Sequence, residues 1–310
     1  YAEASRILSR PAYEWVARDT LDFMVRELWI EPSGGFGSSL DADTLGEEGT
    51  TYTWSAAQLR QALPASQARQ AIRRLRIPKG QRAVAPSLAS LPKSADRALF
   101  DALFVARQLR PSPALDTKRV VAWNGQAVGA FARAGRVLGD EAYVEVARST
   151  ASVLLAGRAG SGVLSRTLEP GSPAGVLDDY AFLAEGLLDL YETTFESRWL
   201  IAAAEIGREI GARFVDPAGG FFYASSSSDL IVRQVEWGDG AEPSGLGRAC
   251  LVLQRLRAYG ATGIDPSWVD KTLARGSRYL QGKGSGFGFS SLVRALAHAQ
   301  RGSAEVIVIG

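Results

Sequence analysis

Four stretches of this chain open on an aromatic residue, run for about a helix length and end in a glycine-rich or aromatic loop. A chain assembled from such units has few ways to fold. PAYEWVARDTLDFMVRELW leads to Gly34, Gly35 and Phe36, EAYVEVARSTASVLL to GRAGSGVL, RWLIAAAEIGREIGARF to GGFF from Gly219, and SWVDKTLARGSRYL to GSGFGF from Gly284. Tyr13, Tyr143, Trp199 and Trp268 hold equivalent places, each followed four positions later by a small or β-branched residue: Ala17, Ala147, Ala203 and Thr272. Residues at that spacing share one helix face.

Between these amphipathic stretches lies a second set, apolar on most sides: NGQAVGAFARAGRVLG, DYAFLAEGLLDLYETTF, PSGLGRACLVLQRLRAYG and SLVRALAHAQ. Helices of that kind are buried. Each joins its amphipathic partner through a short connection (LGDEAY, TFESRW, GATGIDPSW), as antiparallel neighbours require. The return connections are long: 31–54, 157–177, 215–242 and 282–290. Alternating short and long connections put every long loop, and every N-terminus of a buried helix, on one face. The expected fold class is all-α, an (α/α) toroid of helical hairpins. About ten helices are countable where a closed six-hairpin ring has twelve, so the ring is expected to be incomplete at its N-terminal edge.

Tyr1 is not a translation start, and YAEASRIL reads as the second half of a helix. At the other end, EVIVIG (305–310) has the β-branched character of a buried strand. The chain is therefore expected to be a segment of a longer protein, with a toroid segment over 1–303, a linker-like excursion near 79–91 and the start of a C-terminal strand over 304–310.

With 310 residues, 46% of them hydrophobic, a large core can form. Thirty-five basic residues against 33 acidic leave a net charge of +2, and no run of basic residues stands out, which argues against a dedicated nucleic-acid surface. Cys250 is the only cysteine, so neither an internal disulfide nor a cysteine zinc cage is expected, and a cytoplasmic setting is the default. No stretch has the roughly 20 apolar residues of a membrane span. His298 is the only histidine, which removes histidine pairs and histidine metal clusters from consideration. No cofactor is expected.

Four motifs fall on the loop face. GGFGSSLDADTLGEEGTTYTW brings Asp41, Asp43, Glu47 and Glu48 together, as a carboxylate pair for sugar chemistry or as a solvated acidic loop. DTKRVVAWNG offers Trp123 to stack on a sugar ring and Asn124 to bond a hydroxyl, or else a packed tryptophan and a helix cap. VLDDYAFLAEGLLDLY starts an apolar helix with Asp178, Asp179 and Tyr180. One aspartate there caps the helix; two exceed that need. EWGDGAEPSG supplies Trp237, Asp239, Glu242 and Ser244 ahead of another buried helix.

At these motifs the chain resembles the YyaL or spermatogenesis-associated family. The marks are GGFGSSLDADTLGEEGTTYTW, the stretch from Arg110 to Gly125, LDDYAFLAEGLLDLYETTFESRWL and DGAEPSG from Asp239. The resemblance implies a barrel similar to six-hairpin glycosidases and N-acylglucosamine 2-epimerases, preceded in the full-length chain by a thioredoxin-like domain. It also implies that EVIVIG begins a small α/β piece. Two motifs depart from the family pattern, with Asp116, Thr117 and Lys118 where DDK is usual and PSGLG, with Leu246, where PSGNS is usual; the region 63–99 is shortened. The resulting expectation is a carbohydrate-like ligand in the toroid mouth. Asp43, Asp179 and Asp239 are the catalytic candidates, and Asp41, Trp123, Asn124, Asp178, Tyr180, Trp237, Glu242 and Ser244 the ligand-binding ones. The rival is a non-catalytic scaffold that binds a protein partner.

Overall fold

The computed structural model describes residues 1–80, 84, 93, 96–158, 162–226, 230–281 and 285–302. The expected strand at 304–310 and most of the excursion near 79–91 lie outside them. The described residues hold twelve α-helices, two more than the sequence pattern suggests, and four two-residue strands. They divide into two compact units, residues 1–29 with 37–117 and residues 30–36 with 118–310.

The first unit contains α1 (Ala2–Ile7), α2 (Pro11–Glu27), β1 (Ser39–Leu40), β2 (Asp43–Thr44), β3 (Glu47–Glu48), α3 (Ala56–Ala62), α4 (Ala65–Arg74), α5 (Arg97–Gln108) and β4 (Leu115–Asp116). Pro11 occupies the first turn of α2, where its missing N–H costs nothing. Ser55 and Gln58 form a reciprocal capping box on α3. Leu59, Ala68, Ala71, Leu99 and Leu103, from α3, α4 and α5, build the core under Trp54 together with Leu75, which follows α4. Arg110 lies over the Trp54 ring at 3.6 Å and donates to the carbonyls of Thr50, Thr51 and Thr53. That bidirectional grip holds the loop after β3. Strand β1 pairs antiparallel with β4, and β2 with β3.

The second unit follows the predicted alternation: α6 (Val121–Leu138), α7 (Glu141–Arg158), α8 (Leu177–Thr194), α9 (Ser197–Phe214), α10 (Gly245–Ala258), α11 (Pro266–Gly276) and α12 (Ser290–Arg301). Helices α6, α8, α10 and α12 pack one against the next as an inner layer, with α7, α9 and α11 outside, the hairpin arrangement of an (α/α) toroid. Thirteen of the 18 residues of α8 are buried, which is why its sequence is apolar nearly all round. The repeat positions face inward from the outer helices: Ala147, Ala203 and Thr272 are fully buried.

Two glycines set the spacing of α6 and α8. A Cβ added at Gly186 would lie 2.3 Å from the Gly125 carbonyl oxygen, and one at Gly125 would lie 2.6 Å from the Leu183 nitrogen. The two backbones therefore touch, and no side chain fits between them. No helix among the described residues is long and apolar enough to cross a membrane.

Candidate functional site

The N-termini of the inner helices lie together, and polar side chains join them in pairs. Asp179 on α8 is fully buried. Its Oδ1 accepts the Ala122 N–H at the head of α6 (3.0 Å) and an Arg166 guanidinium N–H (2.9 Å), and its Oδ2 accepts the Val176 N–H (2.9 Å). Burial pushes its pKa up, and Arg166 with the two backbone donors opposes that. With both oxygens engaged and no access to solvent, Asp179 joins two helices and presents nothing to a ligand. The acid/base role expected of it has no open oxygen to work through.

Asp239 has a similar structural duty. Its Oδ1 accepts the Ser244 N–H at 2.8 Å, and its Oδ2 accepts the Ser291 N–H at 3.0 Å and the Ser290 hydroxyl, tying the loop before α10 to the head of α12. Burial works against its ionised form, but the Ser290 hydroxyl and the backbone donors hold its pKa below the usual value. Ser244 caps α10 by accepting the Gly247 N–H and donates to the Glu236 carbonyl. Asn124 is buried and brackets Phe36, accepting its N–H at 2.7 Å and donating to its carbonyl at 3.0 Å. Tyr180 is buried, its hydroxyl accepting the Leu164 N–H while its ring meets Phe214 edge-on.

The two tryptophans separate. Trp237 is buried, stacked on Tyr279 with centroids 5.1 Å apart, and Tyr279 stacks in turn on Phe289. It is packed where an open platform was expected. Trp123 is 41% exposed, so its ring is available. Its indole N–H donates to Glu242 Oε1 at 2.6 Å, and Gln126 Nε2 donates to Glu242 Oε2 at 3.2 Å. Two donors from α6 therefore fix a carboxylate carried by the α10 loop.

Asp178 is the unusual member. It is half-buried, no hydrogen bond engages it among the described residues, and burial together with the neighbouring Asp179 charge pushes its pKa up to about 6. Arg166 pulls the other way, and Glu236 and Glu242 add to the rise. Gly245 makes room for it: a Cβ there would lie 1.9 Å from Asp178 Oδ1. Tyr223 is in the same electrostatic neighbourhood, its own pKa raised by burial and by Asp178.

Asp41 and Asp43 belong to the first unit and are both exposed; Asp41 Oδ1 accepts the Asp43 N–H at 3.1 Å within the turn leading to β2. Of the expected residues, Asp178, Trp123 and Glu242 therefore form one open polar patch in the second unit. Asn124, Asp179, Tyr180, Trp237, Asp239 and Ser244 build its frame. Sequence reasoning missed Gln126, Arg166, Tyr223 and Glu236. Gln126 directly follows the WNG motif, Glu236 opens EWGDG and Tyr223 directly follows GGFF, so all three were adjacent to signals, whereas Arg166 comes from a loop position without one.

No protein-family model matches the chain. Over its whole length it is 31% identical to spermatogenesis-associated protein 20 of Mus musculus and 30% identical to that of Homo sapiens, in each case covering 46% of the relative. The chain thus spans about half the length of the curated relatives it matches. Among solved structures, a GH76 alpha-mannanase of Bacteroides thetaiotaomicron superposes with a TM-score of 0.49 and 16% identity, covering 96% of this chain and 81% of that one. Cellobiose 2-epimerase from Spirochaeta thermophila gives 0.44 and 14%, covering 89% and 72%.

Proposed function

We propose, for a chain homologous along its full length to spermatogenesis-associated protein 20, that the mouth of the second unit binds a carbohydrate-like, polyhydroxylated ligand and acts on it through carboxylate acid/base chemistry. Asp178 is the acid. The observation that carries this reading is its state: half-buried, without a hydrogen bond among the described residues and with a pKa near 6, it can hold a proton near neutral pH and release it readily. Glu242, oriented by Trp123 and Gln126, is the second carboxylate. The open indole of Trp123 gives an apolar face for a sugar ring, and carboxylate oxygens accept from hydroxyls. A proton donor and a proton acceptor on either side of a C–O bond are what glycoside cleavage needs, and their separation across the bound ligand sets the stereochemical outcome.

A thermal-shift screen of neutral sugars, amino sugars and sugar phosphates tests the binding half. A ligand at about a hundred times its Kd adds about 2.7 kcal/mol. The shift should disappear in Glu242→Gln and Trp123→Ala, and any turnover of the bound compound should be lost in Asp178→Asn. A screen without a single shift counts against the reading.

The second reading, a protein-interaction scaffold, is favoured by one observation: Asp179 and Asp239 serve the frame entirely. A thioredoxin-like domain elsewhere in the full-length protein is part of both readings, and the scaffold would present it.

A further inference from the structure

Between Glu48 and Asp96 the chain carries eight basic residues and no acidic one. Taking those eight from the 35 leaves 27 basic against 33 acidic residues elsewhere, a balance of −6 for the rest of a chain whose total is +2. The cations are dispersed over this stretch, so no run marks them. The missing acids do.

Helix α4 is the centre of this segment. Its apolar side, Ala68 and Ala71, is buried in the first unit's core with Leu75 beyond its end. Arg69 and Arg73, one turn apart, are exposed on its outer side, and exposed Arg76 and Lys79 continue past its C-terminus. Arg74 is already paired with Asp96 at 2.9 Å. Arg69, Arg73, Arg76 and Lys79 have no ion pair among the described residues. Two cations near a helix C-terminus are accounted for by the helix dipole. Four open cations in a segment without a single acid are not.

We propose that this α4 surface binds the phosphate backbone of duplex nucleic acid, without reading its sequence. Guanidinium groups pair with phosphate oxygens in two-point geometry, and Arg69 and Arg73 repeat along the helix at about 6 Å. A protein partner would be expected to use an apolar anchor, but no large apolar side chain is exposed between Leu45 and Val105 among the described residues. Insertion into a membrane surface needs a free apolar helix face, and that of α4 is covered. No exposed aromatic residue lies in the same stretch, which removes the stacking platform that single strands use.

The test is fluorescence anisotropy of a labelled duplex of about 20 base pairs titrated with the whole chain. Four phosphate contacts give micromolar-range binding at about 50 mM salt that weakens roughly a hundredfold by about 200 mM. Arg69→Gln with Arg73→Gln should weaken it at least about tenfold at the lower salt, because each lost contact removes one released counterion. Arg136→Gln with Arg257→Gln, exposed arginines of the second unit, should change it little. Far-ultraviolet circular dichroism of each variant reports that the helices persist. The proposal is overturned by absence of duplex binding at low salt, by binding that the α4 double variant leaves unchanged, or by capture on phosphatidylserine vesicles without any duplex binding.

Discussion

Asp179 Oδ1 accepts the backbone N–H of Ala122 at 3.0 Å, so a side chain on α8 completes the first turn of α6. The same carboxylate holds Arg166 and the N–H of Val176, at the residue preceding its own helix. Removing its charge leaves a guanidinium and a buried donor without their partner. Asp179→Asn should therefore cost about 3 kcal/mol of stability, read as a lower urea midpoint at unchanged slope. A loss below about 1 kcal/mol would remove the structural role assigned to it.

Asp178, one residue earlier, should respond with the opposite sign. Its folded-state pKa of about 6 lies above the ordinary 3.8, so the native state holds an extra proton between those values and stability falls as pH rises through that window. Asparagine imitates the protonated form. Asp178→Asn should raise stability at pH 7 by about 1 to 2 kcal/mol, after allowance for the group's partial solvent access, and change it little at pH 4. Equal effects at the two pH values would contradict the elevated pKa.

The contact between Gly125 and Gly186 admits no side chain, since the nearest atoms to an added Cβ are backbone atoms of the facing helix. Gly186→Ala should force α6 and α8 apart and cost about 3 kcal/mol or prevent folding. Soluble yield and thermal midpoint measure it. By contrast, Gly240→Ala, where an added Cβ meets nothing within 4 Å, should be tolerated.

Phe195 ends α8 in the left-handed region, φ 56°, with 76% of its surface exposed. A non-glycine residue there is strained by about 1 kcal/mol. Phe195→Gly should recover most of that strain as a higher thermal midpoint, provided the edge contact between Tyr191 and the Phe195 ring contributes little. An unchanged or lower midpoint would show that the ring contact outweighs the backbone.

The repeat was legible because burial in stacked hairpins imposes a periodicity on the residues themselves: Ala147, Ala203 and Thr272 were recognisable by spacing alone and are fully buried. The polar motifs were legible as places but not as roles. Trp123 and Trp237 sit in similar motifs, each with a glycine one or two positions on, and only the stack with Tyr279 and Phe289 shows that the second is packed. The adjacent aspartates could not be ranked either. Neighbouring helix residues point about 100° apart, and the inward one was decided by the position of Ala122 and Arg166.

By itself, the sequence determined the helical class, the pairing of inner with outer helices and the gathering of N-termini on one side, because each follows from local periodicity and connection length. Tertiary structure alone decided which acid is open. A carboxylate's availability depends on how many donors and how much protein surround it, and those come from residues such as Arg166, Gln126 and Gly245, which lie in other elements and meet the carboxylates only once the chain has folded.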